Sequence, residues 1–197
     1  GDLEILSERT AYAKLFAVED YRLRHRKFDG AMSDPLERAV FSSGDAACVL
    51  PYDPLRDRVL LIEQFRLGPM GRGDPDPWLL EPIAGRVDPF ETPQEAARRE
   101  AVEEAGLDLR ALIPAPHYYP TPGAKNEFLY NFIGLCDLPD DICQSGGLES
   151  EGEDIRSHLL GFGALMDLLD QGGLRNGPAV VLTLSLARKR AALREGT

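Results

Sequence analysis

The sequence predicts an α+β fold in which helices pack on a sheet, with a short segment of strands ahead of it. The predicted elements run in the order strands, one helix, strands and then two helices, which fits a layered α+β sandwich. A length of 197 residues is enough for one domain with a sizeable core. The hydrophobic fraction of 43% is ordinary for a globular protein. Neither a membrane span nor a signal peptide is predicted.

The N-terminal segment is predicted to cover the first 37 residues, ahead of a main domain at residues 38–197. Residues 3–28 alternate in places between apolar and polar side chains, which predicts one or two strands with a turn near Glu19 and Asp20. A basic cluster follows, consisting of Arg22, Arg24, Arg26 and Lys27. This cluster has two interpretations, a solvated strand face or a strand that faces a phosphate or a dimer partner.

Apolar runs and turn signals divide the main domain into elements. The predicted strands cover residues 46–50, 58–64, 78–83, 127–135 and 155–160. The predicted helices cover residues 93–105, 162–170 and 178–193. The first two strands form a hairpin around a turn at residues 51–54. Residues 66–77 are rich in glycine and proline and are predicted to form a loop, as are residues 137–147.

The helix at residues 93–105 has clear signals at both ends. Thr92 is a good N-cap, and Glu95 follows three residues later at the capping-box spacing. Pro93 occupies the first helical position, where its missing N–H costs nothing. Gly106 stands where a C-terminal glycine belongs. A row of small residues would let this helix press closely on a sheet, and it consists of Ala97, Ala101 and Ala105.

Three glutamates on this helix form a candidate site. Glu100 and Glu104 are four residues apart and lie on one helical face, with Glu103 at its edge. Like charges at this spacing destabilise a helix by roughly 0.2–0.5 kcal/mol per pair. A hard divalent cation with oxygen ligands would offset that repulsion. Taken alone, such a cluster is more often a solvated helix surface.

The charge balance and the cysteines exclude some classes of function. A net charge of −11 argues against binding to nucleic acid or to a membrane surface. Cys48, Cys136 and Cys143 show no CxxC spacing, and an odd, sparse count suits a reducing compartment. We therefore expect a cytoplasmic protein in which Cys48 is buried. The three histidines share no zinc-ligand spacing, so a zinc site is not expected.

The glutamates belong to a longer pattern with regular spacing. Its members are Gly85, Glu91, Arg99, Glu100, Glu103, Glu104 and Gly106. The pattern resembles the Nudix box, G-x5-E-x7-R-E-U-x-E-E-x-G-U, and all of the fixed polar and glycine positions match in register. Two features depart from it. Ala101 is smaller than the usual apolar residue, and Asp88-Pro89-Phe90 replaces the acidic, glycine-containing loop often seen before the first glutamate.

Segments outside the box resemble the ADP-ribose pyrophosphatases of the Nudix superfamily. They are VLLIEQFR, WLLEPIAGR, PTPGAKNE and ESEGEDI, and the resemblance covers roughly residues 38–195. It implies an α/β/α sandwich with a mixed sheet, and a homodimer in which an antiparallel N-terminal piece exchanges contacts with the partner. It also implies Mg2+-dependent hydrolysis of ADP-ribose to AMP and ribose 5-phosphate, with Mn2+ as a possible substitute.

The family resemblance implies metal ligands and catalytic residues. The implied metal ligands are the Ala84 carbonyl, Glu100, Glu104 and Glu153. Glu151 matches the position that deprotonates the attacking water, and Glu103 would bind metal or orient water. Within the family, Glu103 and Glu149 remain alternative bases. Without the resemblance, the acidic loop would be interpreted as a solvated turn. Arg99 is expected to pair with Glu91 or Glu103 and to hold the loop against the helix.

Four further residues are implied in binding a small nucleoside diphosphate sugar. Arg66 would contact the diphosphate or the terminal ribose, for which bidentate arginine bonding gives a reason. Arg38 would approach the adenine or a phosphate across a dimer contact, and Glu127 would hold the terminal ribose. Phe28 or Tyr21 would stack on adenine, although core packing is the commoner role for an aromatic such as Phe28 near a strand end.

Two other functions fit the same residues. Relatives with nearly the same box hydrolyse other nucleoside diphosphate sugars, such as GDP-mannose, and the residues that recognise the base decide between them. The second alternative is a Nudix-fold ligand sensor without catalysis. Such sensors usually lose box glutamates, whereas Glu100, Glu103 and Glu104 are all present. The leading prediction is therefore an ADP-ribose pyrophosphatase.

Overall fold

The computed structural model describes residues 1–142, 145–146 and 154–196, with residues 145–146 described by their backbone. The chain divides into two compact units. The first unit contains Gly1–Asp45 and Tyr118–Phe128, and the second contains Ala46–His117 and Leu129–Thr197. The predicted boundary after residue 37 therefore falls inside a strand, and the backbone divides later, after residue 45.

The first unit is built on a three-stranded antiparallel sheet. Its strands are β1 (Leu3–Ala13), β2 (Ala17–His25) and β3 (Leu36–Ser42), in the order β1-β2-β3. The β1–β2 turn lies at Lys14, whose N–H donates to the Phe16 carbonyl. The prediction of a turn at Glu19 and Asp20 was wrong. Both residues lie in β2, where Asp20 forms a cross-strand ion pair of 2.5 Å with Arg9.

A segment from later in the chain completes the first unit. Phe41 of β3 donates its N–H to the Ala124 carbonyl at 2.8 Å and accepts from the N–H of Asn126 at 3.3 Å. The Asn126 side chain also donates to Ser42 Oγ at 2.6 Å. Sequence reasoning did not assign these residues to the N-terminal segment, because the pairing joins positions more than eighty residues apart.

The second unit is built on one mixed sheet. Its strands are β4 (Ala46–Asp53), β5 (Arg58–Phe65), β6 (Trp78–Glu81), β7 (Ile83–Arg86), β8 (Ala111–Pro114), β9 (Leu129–Leu135), β10 (Ser145–Gly146) and β11 (Ile155–Gly161). The order is β10-β11-β5-β4-β9-β8, with β6 beside β5 and β7 beside β4. Strands β4 and β9 run parallel, and the other pairs are antiparallel.

Helices cover both faces of this sheet. They are α1 (Leu67–Arg72), α2 (Pro93–Ala105), α3 (Phe162–Asp170) and α4 (Gly177–Glu195). Ala47 and Val49 of β4 share a core with residues of α2, and strand alternation directs Cys48 and Leu50 to the opposite face. All four are buried, and α4 packs on β4 and β9 while α3 packs on β5 and β11. The predicted α/β/α sandwich is confirmed.

Some predicted elements differ in detail. The β4–β5 hairpin forms, but β4 continues to Asp53 and the turn covers residues 54–57, so it shares only residue 54 with the predicted turn at residues 51–54. The predicted loop at residues 66–77 contains the short helix α1. The predicted strand at residues 78–83 breaks at Pro82, because β6 pairs with β5 while β7 pairs with β4. None of the described helices is long and apolar enough to cross a membrane.

Candidate active site

Helix α2 begins and ends at the residues that its sequence predicts. Thr92 Oγ1 accepts the Glu95 N–H at 3.2 Å, and Glu95 Oε2 accepts the Thr92 N–H at 2.7 Å, which is a complete capping box. Gly106 ends the helix with φ of 63°. Ala97 and Ala101 are fully buried against the sheet, as predicted for the row of small residues. This packing places Glu100 and Glu104 against β7.

Glu100 lies directly over the backbone of β7. A Cβ built on Gly85 would stand 1.7 Å from Glu100 Oε1 and 2.0 Å from its Cδ. No side chain larger than that of glycine therefore fits at residue 85 while Glu100 keeps this position. The glycine thus has a steric role, since it provides the space that the carboxylate occupies.

Glu104 reaches the neighbouring residue of the same strand. Its side chain is buried, at 2% exposure, and its Oε2 accepts the N–H of Ala84 at 3.2 Å. A buried carboxylate needs such donors, because leaving water without them costs several kcal/mol. Glu104 and Glu100 therefore lie against the neighbouring residues Ala84 and Gly85 of β7, and the contact with Ala84 is made through its N–H, whereas the predicted ligand is its carbonyl.

Arg99 links three glutamates through one guanidinium group. Its Nε and Nη2 each donate to Glu91 at 3.0 Å, and its Nη1 donates to Glu100 at 2.6 Å and to Glu103 at 3.0 Å. The hydrogen bonds to Glu91, with those to the other two carboxylates, raise the pKa of Arg99 further above its ordinary value. The same bonds lower the pKa of Glu91. The predicted role of Arg99 in holding the loop to the helix is confirmed by these contacts.

The donor atoms at this place suit a hard cation. Carboxylate and carbonyl oxygens are the ligands that Mg2+ prefers, and Glu100 and Glu104 supply two carboxylates beside the Ala84 peptide. Within the described ranges, no group of three or more His, Cys, Asp or Glu side chains is arranged to hold a metal ion. The other predicted participants, Glu151 and Glu153, lie outside the described residues.

Arg66 is held by a glutamate that sequence reasoning missed. Its Nε and Nη2 donate to Glu81 Oε2 at 2.9 and 2.6 Å. Glu81 is buried, at 3% exposure, and its Oε1 accepts from Asn176 Nδ2 at 3.0 Å. A charged residue inside the apolar strand WLLE was the available signal, because a buried carboxylate requires a partner. Glu81 thus aligns Arg66, whose side chain stays 42% exposed.

The other predicted substrate residues lie in the first unit. Arg38 is exposed and donates to the Glu37 carbonyl at 2.7 Å. Glu127 accepts from Lys125 Nζ at 2.9 Å and from Ser43 Oγ at 3.2 Å. Phe28 is fully exposed, so the interpretation that it packs in the core was wrong.

The basic cluster at residues 22–27 is partly neutralised within its own unit. Arg26 pairs with Asp2 at 2.8 Å, and Lys27 pairs with Asp29 at 2.9 Å. Arg24 donates to the Ser33 carbonyl at 3.0 Å. These contacts favour the first of the two interpretations, a solvated strand face that is structural.

Comparison with known proteins assigns the sequence of this chain to a family. The NUDIX domain matches residues 43–173, about two thirds of the chain. The ADP-ribose pyrophosphatase of Escherichia coli (strain K12) is 37% identical over 196 residues, which cover 98% of this chain and 92% of that protein. The GDP-mannose pyrophosphatase of Cronobacter sakazakii is 29% identical over 181 residues, which cover 92% of this chain and 93% of that protein.

The fold comparison agrees with the sequence comparison. The crystal structure of an ADP compounds hydrolase matches with a TM-score of 0.72 at 23% identity, over 98% of this chain and 97% of that one. At this identity the likeness concerns the fold. Because the domain match covers most of the chain and the Escherichia coli protein is similar along nearly its whole length, this chain belongs to the Nudix family.

Proposed function

We propose that this chain is an ADP-ribose pyrophosphatase, which hydrolyses ADP-ribose to AMP and ribose 5-phosphate. The observation that carries the proposal is the 37% identity over nearly the full length to an ADP-ribose pyrophosphatase. The positions of Glu100 and Glu104 against β7 support it, because the acidic residues that the chemistry needs are present and ordered. The GDP-mannose pyrophosphatase is a more distant relative at 29% identity.

The reaction breaks one bond of the diphosphate. A water oxygen attacks one phosphorus, the bridging oxygen leaves with the other phosphate, and the water gives up one proton. The negative charge on the two phosphates repels the incoming oxygen. The site must therefore offset that charge and accept that proton.

The metal is the first part of this proposal. Mg2+ would be held by Glu100, Glu104, Glu153 and the Ala84 carbonyl, and Mn2+ would substitute because it also accepts oxygen ligands. When bound, the ion supplies positive charge at the diphosphate and lowers the pKa of water. The adjacency of residues 84 and 85 supports this assignment, since each lies against one of the two helix glutamates.

The proton acceptor is the second part. Glu151 is proposed as the general base on the family resemblance, and the acidic segment that contains it leads into β11. Glu103 is proposed to orient the attacking water. Its carboxylate is already held by Arg99 at 3.0 Å, which restricts its rotation. A fixed carboxylate loses little entropy when it receives a hydrogen bond from water.

Substrate binding is the third part. Arg66 is proposed to bind the diphosphate, and its bonds to Glu81 support this by fixing the guanidinium plane. Arg38 and Phe28 are proposed to contact the nucleoside, and Glu127 the terminal ribose. The exposure of Phe28 supports a contact with ligand, because its ring is available for stacking.

A homodimer is proposed through the N-terminal strands. Strand β1 lies at the edge of its sheet, and its apolar side chains are exposed, with Leu3 at 59%, Ile5 at 54% and Tyr12 at 51%. An exposed apolar edge strand favours association with another chain. A cytoplasmic location is proposed from the cysteine usage, and the described cysteines, Cys48 and Cys136, are both buried.

A substrate panel tests the proposed activity. ADP-ribose, GDP-mannose, NADH, a diadenosine polyphosphate and 8-oxo-dGTP would each be assayed with Mg2+ and with Mn2+. We expect ADP-ribose to have the highest kcat/KM, with AMP and ribose 5-phosphate as products. A preference for GDP-mannose would reassign the substrate, and no turnover of any member would favour the sensor. Light scattering of the same protein tests the dimer.

A further inference from the structure

The turn ahead of α2 holds a phenylalanine in a conformation that favours glycine. Glu91 donates its N–H to the Asp88 carbonyl at 3.1 Å, so Pro89 and Phe90 are the central residues of this turn. Phe90 has a φ of 71°. Proline followed by a residue with positive φ is the type II arrangement, in which glycine or asparagine is the usual third residue.

The phenyl ring of Phe90 is not buried by its own chain, so hydrophobic burial does not stabilise it there. It is fully exposed, at 107% of the reference area. A left-handed backbone at a bulky residue costs stability, because Cβ crowds the following carbonyl. Glycine at this position would relieve that strain and remove an exposed apolar ring. Strained residues of this kind concentrate at functional sites, where another interaction compensates the strain.

The turn that carries Phe90 is bonded to the glutamate cluster. Asp88 donates its N–H to Glu91 Oε2 at 3.1 Å. Arg99 donates to Glu91, the last residue of the turn, and also to the Arg86 carbonyl at 3.0 Å, two residues before the turn begins, so one guanidinium holds the chain on both sides of Phe90. That guanidinium reaches Glu100 on its other side. The backbone of residue 90 is therefore held beside the candidate active site. The turn at residues 88–91, held by Arg99, is called the braced turn below.

We propose that Phe90 is a specificity-determining residue whose ring packs on the sugar or the base of the substrate. The inference rests on the proposed function, since it takes the diphosphate to lie at the glutamate cluster. A nucleoside diphosphate sugar has a charged centre and two ends with flat, partly apolar faces. Carboxylates and arginines recognise the centre, and an aromatic ring offers a matching surface to one of the ends.

The braced turn explains why a strained position is suitable for this contact. A ring on a flexible loop would lose conformational freedom when the substrate binds, and that loss would weaken binding. Here the bonds of Arg99 to Glu91 and to the Arg86 carbonyl have already ordered the backbone. The backbone of the turn therefore loses its conformational freedom when the free protein folds, and substrate binding causes no second loss.

Three substitutions separate the ring from the backbone strain. Phe90→Gly removes both, Phe90→Ala removes the ring and keeps the strain, and Phe90→Tyr keeps both. We expect Phe90→Gly to raise the melting temperature by about 2–4 °C, and Phe90→Ala not to raise it. Both should raise KM for ADP-ribose by about 3- to 10-fold with kcat within about twofold. Phe90→Tyr should keep the wild-type KM.

A matched control removes another exposed apolar side chain from the same unit. Leu55 is 70% exposed in the turn after β4, at the opposite end of that strand from the residues that pair with β7. Leu55→Ala should leave KM unchanged. ADP-glucose, tested as substrate or inhibitor, separates the two ends, because it keeps the base and changes the sugar. If loss of the ring weakens the binding of ADP-ribose and of ADP-glucose equally, the ring contacts adenine. If it weakens the binding of ADP-ribose alone, the ring contacts the ribose.

Two results would overturn the proposal. One is a Phe90→Gly protein that is more stable and keeps the wild-type KM, and the other is a Phe90→Tyr protein that loses affinity as Phe90→Gly does. The proposed function can fail separately. If the wild type hydrolyses GDP-mannose and not ADP-ribose, the same variants are measured on GDP-mannose. If calorimetry and assay find neither substrate bound or hydrolysed, both proposals fail.

Discussion

The backbone of Gly85 lies beneath the carboxylate of Glu100, so that a Cβ on residue 85 would stand 1.7 Å from Oε1. The two residues are fifteen positions apart in the sequence, yet each decides what the other can be. Non-bonded atoms do not approach so closely, so any larger residue at position 85 must displace the glutamate. The glycine and the glutamate therefore form one structural unit within the box.

Gly85→Ala tests this relationship. The added methyl group should push Glu100 out of position while the buried core of the second unit stays intact. We expect kcat/KM for ADP-ribose to fall by about 100-fold, the scale of loss that follows a misplacement of about 1 Å in an active site. Steady-state kinetics measures kcat/KM, and circular dichroism measures whether the second unit stays folded. Gly163→Ala is the control, because a Cβ there meets no atom within 4 Å, and it should keep full activity.

Glu104→Gln tests the second helix carboxylate. The substitution keeps the size of the buried side chain and a carbonyl oxygen for the Ala84 N–H, and it removes the charge. Loss of several kcal/mol of charge stabilisation corresponds to a fall in kcat of about 100-fold or more. Glu195→Gln at the end of α4 serves as the control. Near-normal turnover by Glu104→Gln would contradict the assignment of this residue to the metal.

Glu151→Gln and Glu153→Gln separate the base from the metal ligand. Loss of a general base lowers the rate by about 100-fold or more and leaves metal affinity nearly unchanged. Loss of a ligand instead raises the Mg2+ concentration needed for half-maximal rate. Metal titrations of both variants, followed by the rate at saturating Mg2+, measure the two effects. If Glu151→Gln retains the full rate, the base is another residue.

Glu81→Gln tests how Arg66 is positioned. The amide keeps the bond from Asn176 but loses the charge-assisted pair with Arg66. We expect KM for ADP-ribose to rise by about 10-fold, with a smaller change in kcat. The double variant Glu81→Gln/Arg66→Gln should be no worse than Arg66→Gln alone, because Glu81 acts through that arginine. Additive losses in kinetics would show that the two residues act independently.

Asp57→Asn tests an ion-pair cluster remote from the glutamates. The hydrogen bonds from Arg190 are the largest influence on Asp57 and, with those from Tyr52 and Arg194, hold its pKa at about 2. Because this pKa is depressed from 3.8, the stabilisation is complete above about pH 4 and is lost as the pH falls toward 2. Asparagine tolerates the positive φ of 56° at this position.

The expected loss for Asp57→Asn is about 2 kcal/mol in the free energy of unfolding at pH 7. Urea denaturation at pH 7 and near pH 2 would measure it, and the two proteins should converge at the lower pH. Asp108→Asn at an exposed position should change the free energy of unfolding at neither pH. A difference that persists near pH 2 would show that the loss comes from packing and not from the charge.

Local signals predicted the elements whose contacts are local. The ends of α2 follow from Thr92, Glu95 and Gly106, since each of these caps bonds to residues within five positions along the chain. The family resemblance led us to expect that Arg99 pairs with Glu91 or Glu103, and the structure contains both pairings. These contacts form wherever the helix forms, so a single sequence is enough to predict them.

Contacts between distant positions were not predictable in the same way. The turn at Lys14 carries no glycine or proline signal, and the Glu19-Asp20 pair was mistaken for it because cross-strand pairing with β1 is invisible in one sequence. The role of Glu81 depends on Arg66 and Asn176, which are 15 and 95 positions away in the sequence. The break at Pro82 likewise depends on which strands β6 and β7 join.

The sequence alone determined the family of this protein, because the spacing of glycine, arginine and glutamate in one loop and helix matches the Nudix box, and that resemblance implied hydrolysis of a diphosphate. Only the tertiary structure decided how the site is supported. It placed Glu100 over Gly85 and Glu104 beside Ala84, it aligned Arg66 on Glu81, and it held Phe90 at a positive φ. The physical reason is that spacing along a helix specifies which side chains share a face, whereas sheet pairing decides which backbone they meet.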